Sequence, residues 1–140
     1  MLDVGCAKGY MVYDFTNAKI DAYGVDISNY ALRCAPSVIR NKLYHMNAKD
    51  LELFDNNEFD LVISINTIHN LINYECRQSI REIQRVGKKA FITMDAYKTN
   101  EDKKRMDAWN MTAKTILSTD NWIKMFEDED YNGDYYWFIP

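Results

Sequence analysis

Short apolar runs alternate with amphipathic stretches along the whole chain. Met1–Gly5 reads as a first strand, and a helical pattern starts over Tyr10–Phe15. Ala22–Asp26 is a second strand. Ser28 can cap a helix over Asn29–Ala35, which Pro36 ends. Leu43–Met46 is a third strand, followed by a polar loop over Asn47–Asn57. Phe59–Ile65 is a nearly unbroken apolar run, as a central strand buried on both faces requires. Asn73 can cap a helix over Tyr74–Val86, with Cys76, Ile80 and Ile83 at helical spacing and Gly87 as its stop. Ala90–Met94 is the fifth strand, and Glu101–Met111 is helical. Ser118 or Thr119 caps a last helix through Glu129 with Trp122, Ile123 and Phe126 inward, and after a turn at Gly133 comes a final strand, Tyr135–Ile139. Strand and helix alternate throughout. That predicts an α/β fold: a doubly wound, mainly parallel, Rossmann-like sheet with helices on both faces.

The 140 residues form one domain over 1–140, large enough to bury a core. Acids outnumber bases 21 to 17, for a net charge of −4. Duplex nucleic acid needs a basic face, so no nucleic-acid partner is expected. Cys6, Cys34 and Cys76 are odd in number and widely spaced, which fits a reducing cytoplasm and gives neither a disulfide framework nor a metal site. No apolar run reaches transmembrane length, and no membrane partner is expected.

Chemistry concentrates at strand ends. After the first strand, Asp3, Gly5, Ala7 and Gly9 follow one another at every second position. Glycines there let the backbone take unusual φ values and let a ligand approach closely. Asp26 ends the second strand 21 positions after Gly5, the spacing at which an acid accepts hydrogen bonds from ribose hydroxyls. Its other reading is a cap for the following helix. A dinucleotide loop would place glycines where Gly5, Ala7 and Tyr10 stand, so two of its three slots fail. A Walker loop is absent, since G-K-[ST] occurs nowhere.

On these residues the chain resembles the class I S-adenosylmethionine-dependent methyltransferases, and most of all their small-molecule and quinone-biosynthesis-type branch. The resemblance runs to about Tyr97; Ala7, where the family has its middle glycine, is the one departure in the loop. It implies S-adenosylmethionine as cofactor and in-line methyl transfer to a small-molecule acceptor. Gly5, Cys6, Ala7 and Gly9 are then expected around the cofactor's amino-acid half, with Asp3 towards its ammonium group and Asp26 on the ribose. Ile27 is expected against the adenine face. Asn47-Ala48 stands where the family has an acid followed by alanine at the adenine edge, although Asn47 also suits a plain turn. Ile65 and Asn66 are expected beside the methionine part.

On the acceptor side, His69 is a candidate general base or else a packing histidine, and Asp95 a second group to hold or deprotonate the acceptor. Trp109 could wall an apolar pocket. Ser64-Ile65-Asn66-Thr67 replaces the tetrad that amino-group methylases of this fold carry. A cofactor-binding scaffold without catalysis is the alternative function. Because Met1 already lies in the first strand, the chain is expected to be truncated at its amino terminus, to leave its cofactor site open and to form a weak homodimer.

Overall fold

The computed structural model describes residues 1–139. Six strands form one sheet: β1 (Leu2–Val4), β2 (Tyr23–Asp26), β3 (Leu43–His45), β4 (Val62–Ile65), β5 (Ala90–Asp95) and β6 (Asp134–Phe138). Their order is β3-β2-β1-β4-β5-β6, and every neighbouring pair is parallel. Five α-helices connect them: α1 (Tyr10–Asn17), α2 (Asn29–Arg33), α3 (Asn73–Val86), α4 (Asn100–Trp109) and α5 (Thr119–Asp128). Short 3-10 turns occupy Ser37–Lys42 and Ile68–Asn70.

The main core lies on the sheet face that carries Leu2, Val4, Val62, Ile92 and Met94. There α3 inserts Cys76, Ile80 and Ile83, and α5 inserts Trp122, Met125 and Phe126. The opposite face holds a smaller cluster of Val12, Ala22, Leu32 and Ile39. Ser118 caps α5 through the amide of Asn121. Thr99 and Asp102 form a reciprocal capping box on α4, a signal the sequence reading did not use.

Three predicted boundaries are corrected. Asn73 is the first residue of α3 and not its cap; Ile72 holds the cap position, and its carbonyl accepts from Cys76. Gly87 does end α3, as predicted, though not through a left-handed turn. Its backbone is extended (φ −108°, ψ 136°) and bridges Phe59 in parallel, where a Cβ would stand 2.6 Å from Val62 Cγ2. The apolar run from Phe59 therefore divides into that bridge and the shorter β4. At the chain's far end, α4 stops at Trp109 because the Asn110 side chain accepts from the amides of Thr112 and Ala113.

The polar loop after β3 buries Leu51 and Phe54. It is fastened to α3 by two side chains. Glu82 accepts from the Leu51 amide, and Arg85 donates to the carbonyls of Leu51 and Phe54. Arg85→Met removes the guanidinium from both carbonyls, leaving Leu51 only the Phe54 amide, and should destabilise the fold by about 1–3 kcal/mol in urea unfolding. Lys88→Ala, which removes an exposed pair with Asp60, should change stability by less than about 0.5 kcal/mol. Equal losses in the two variants would show that Arg85 does not fasten the loop.

Candidate functional site

Strand order reverses at β1, whose sequence neighbour β2 lies on one side and β4 on the other. Loops leaving β1 and β4 therefore diverge and open a crevice at the carboxyl ends of the strands. A cavity of about 510 Å³ occupies it.

The loop after β1 is built by three left-handed residues: Gly5 (φ 90°), Ala7 (φ 48°) and Gly9 (φ 70°). The amides of Gly5 and Cys6 both donate to the carbonyl of Val25. A Cβ on Gly5 would stand 2.1 Å from Thr67 Oγ1, so only glycine lets the two loops meet. Ala7 takes a left-handed conformation that costs a non-glycine residue roughly 1 kcal/mol. Its methyl group is not crowded, for Ala7 is exposed. The departure from the glycine pattern is thus a matter of backbone conformation and not of space.

That conformation turns the Ala7 amide onto Asp26. Asp26 Oδ2 accepts from Ala7 at 2.8 Å and Oδ1 from Ser28 at 2.7 Å. The carboxylate is fixed at the cavity wall, and each oxygen retains acceptor capacity. Ser28 Oγ accepts from the Ala31 amide, so Ser28 and not Asp26 caps α2. Ile27, Asn47, Ala48, Ile65 and Asn66 line the same cavity. Asn47 also makes a turn, its Oδ1 accepting from the Lys49 amide.

Asp3 is 5% exposed and borders an adjoining depression of about 440 Å³ with Cys6 and Lys8. The two hollows share Gly5, Ala7 and Ile65. Burial, and then the nearby charge of Asp26, raises the Asp3 pKa to about 7. Burial also pushes the Cys6 thiol up to about 12, so it stays protonated.

Several lining residues were not singled out from sequence: Met46, Thr67, Asn70, Leu71 and Lys114. Behind the wall stands Thr93 on β5. Its Oγ1 accepts from the Asn66 amide and donates to Asn66 Oδ1, while its carbonyl also accepts from that amide. These bonds hold Asn66 in a left-handed conformation (φ 50°) at the end of β4.

His69 and Asp95 come together, but beside a different, smaller cavity of about 250 Å³. His69 is buried, and its Nδ1 accepts from the Asp95 amide at 3.3 Å. Nε2 therefore carries the proton in the neutral ring and stands 3.6 Å from Asp95 Oδ2. Burial lowers the His69 pKa, against the opposing pull of Asp95. In this arrangement the imidazole lone pair is engaged by the Asp95 amide, and the carboxylate faces the cavity. His45 lies apart, its Nε2 2.8 Å from the Ile27 carbonyl oxygen.

Among the described residues, no helix is long and apolar enough to cross a membrane. No curated protein matches the chain. Solved structures do. The YcgJ protein of Bacillus subtilis is 20% identical, with a TM-score of 0.73 over 91% of this chain and 59% of that one. A SAM-dependent methyltransferase from Archaeoglobus fulgidus is 15% identical, with a TM-score of 0.71 over 91% of this chain and 58% of that one. The PH0226 protein of Pyrococcus horikoshii is 28% identical over 62% of this chain and 43% of its own, with a TM-score of 0.57. The chain thus spans under two thirds of the length of these proteins. The model of one family, described as a methyltransferase domain, matches residues 2–92. With most of its length inside that match, and with the loop, the Asp26 contact and every crevice-lining residue but Lys114 falling within it, the chain belongs to the methyltransferase-domain family.

Proposed function

We propose that this chain, as a single domain, binds S-adenosylmethionine in the crevice and directs its methyl group to a small-molecule acceptor. The observation that carries the reading is the joint between Ala7 and Asp26, which sets a carboxylate against a left-handed loop at the strand-order reversal. The cavity lies within the roughly 300–1,000 Å³ usual for cofactor sites. Its charges also select. Asp3 and Asp26 flank the loop, a setting that repels a pyrophosphate and suits a ligand with an ammonium group and a ribose.

Asp26 would accept from the two ribose hydroxyls. Ile27 and Ala48 would flank adenine, with the Asn47 amide group at its edge. Gly5, Cys6, Ala7 and Gly9 would wrap the amino-acid half, and the first amides of α1 would face its carboxylate. Asp3 would face the ammonium group. Ile65 and Asn66 would hold the methionine chain, with Asn66 fixed from behind by Thr93. When bound, S-adenosylmethionine supplies a methyl group already activated by a sulfonium. The chain's own contribution is alignment of an acceptor on the line of displacement and exclusion of water, worth roughly 7–11 kcal/mol. On the acceptor side, Asp95 would receive a proton, and His69 would orient it.

Titration by calorimetry should show S-adenosylmethionine or S-adenosylhomocysteine binding and NAD not binding. Asp26→Ala should weaken the binding by about 1–3 kcal/mol, through hydroxyls left without an acceptor. Unchanged affinity in that variant would remove the ribose assignment.

Asp3 makes binding depend on pH with a definite sign. Below about pH 7 the free protein holds a proton on Asp3 that an ammonium ligand must expel. Affinity for S-adenosylhomocysteine should therefore rise between pH 5.5 and 7, by up to about tenfold per unit, and then level off. Stability runs the other way. The folded pKa lies above the unfolded one, so the stabilising contribution is complete below about pH 4 and is lost as pH rises towards 7. Asp3→Asn should make the free protein more stable than the parent at pH 8 by a few kcal/mol, while flattening the pH dependence of affinity. Thermal unfolding and titration across this range check both, and a parent affinity independent of pH would count against the Asp3 role.

A further inference from the structure

The smaller cavity beside His69 and Asp95 has a chemistry of its own. Its walls are Met106 and Trp109 from α4, with Met111 and Ala113 from the turn that follows. At about 250 Å³ it has room for a single ring with a short substituent. Asn110 borders it too, but its side chain is spent on the turn: Oδ1 accepts from Thr112 and Ala113, and Nδ2 donates to the Ala113 carbonyl. Thr112 adds a neutral hydroxyl group at most. His69 is neutral and turned towards Asp95.

Among the described residues, Asp95 is therefore the one charged side chain facing this cavity. Its carboxylate is 14% exposed, and among the described residues its nearest cationic or imidazole nitrogen is His69 Nε2 at 3.6 Å, too far for a good hydrogen bond. A carboxylate in an apolar setting without a donor is costly, and a ligand cation would relieve it. Trp109, half exposed at the rim, adds an aromatic face, which also attracts cations. No cationic side chain lines the cavity, so nothing there favours an acid. The site also adjoins the crevice: the chain segment that gives Asn66, Thr67 and Asn70 to the large cavity gives His69 to the small one. Across from it, Lys114 borders the large cavity and Ala113 the small one, with the Lys114 amide bonded to the His69 carbonyl.

We infer that this cavity is the acceptor site and that it takes a small apolar amine, bound as an ammonium ion against Asp95 with its ring against Met106 and Trp109. The inference rests on the methyltransferase reading for the word acceptor, but the binding site stands on its own geometry. An ammonium ion must lose a proton before its nitrogen can act as a nucleophile. Asp95 is the carboxylate in contact to take it: one N–H bond breaks, one O–H bond forms, and the nitrogen keeps the electron pair.

Three probes of one shape separate charge from size: benzylamine, benzyl alcohol and benzoate. The indole N–H signal of Trp109 in proton–nitrogen NMR spectra, identified with Trp109→Phe, reports occupancy without any turnover. Benzylamine should shift it in the millimolar range and bind about tenfold more tightly than benzyl alcohol, as a charge-assisted hydrogen bond does over a neutral one. Benzoate should leave it unmoved. Asp95→Asn should abolish the preference for the amine yet keep the alcohol's affinity. Trp109→Ala, at an exposed position, should weaken amine and alcohol alike, followed by the ligands' own signals. Equal affinity for the three probes, preference for benzoate, or no binding by any would overturn the proposal. S-adenosylhomocysteine is titrated into the same sample. If it binds and benzylamine does not, this inference fails alone; if it does not bind, the cofactor reading fails and the probes still decide the amine site.

Discussion

Gly5 faces Thr67 at a distance that leaves no space for a side chain, and the crevice depends on that approach. The carbonyl of Val25 takes the amides of both Gly5 and Cys6, so the ends of β1 and β2 are joined at the same point. Three chain segments far apart in sequence thus converge within a few ångströms. From there the loop has one course: left-handed at Gly5, Ala7 and Gly9, with the Ala7 amide on Asp26. A bulkier residue at Gly5 would separate β1 from the β4 loop, and Asn66 and Asp26 would no longer face one cavity.

The site is arranged at some expense of stability. Asp3 is buried near a second carboxylate, and Ala7 and Asn66 hold backbone conformations that few non-glycine residues adopt. Asn66 is fastened from behind by Thr93, and Ala7 by the carboxylate of Asp26. By contrast, the face carrying Leu2, Ile80 and Trp122 is conventional core. The sheet divides the labour, with cohesion on one side and poised polar groups along its carboxyl edge.

Much of this was legible in the sequence because it is local. The spacing of Asp3, Gly5 and Gly9 encodes a loop by itself, and the Asp26 distance is one crossover long. Ser28 and Ser118 act as caps through amides three residues on. What was not legible depends on partners distant in sequence. Thr93 matters only because β5 lies beside β4, and the segment carrying Lys114 is tied to the crevice by the Lys114 and Thr115 amides on the His69 carbonyl and the Thr115 hydroxyl on the Leu71 carbonyl. Gly87 does stop α3, but its smallness also serves Val62, which only the fold brings beside it. The partner of the His69 ring is likewise distant: the Asp95 amide, 26 residues away, donates to its Nδ1.

The all-parallel sheet also governs the order in which the chain can assemble. Parallel neighbours cannot form hairpins, so no strand closes on the one before it without a crossover. Of the six strands, the central β1 leaves the ribosome before its partner β4, which follows 60 residues later, in the pairing of Leu2 with Val62. At 5–20 residues per second that interval is roughly 3–12 s, during which one edge of β1 stays open. The sheet's centre is thus made early and completed late, and a nascent chain leaves the backbone N–H and C=O groups of that edge exposed to chaperones or to other chains for that time.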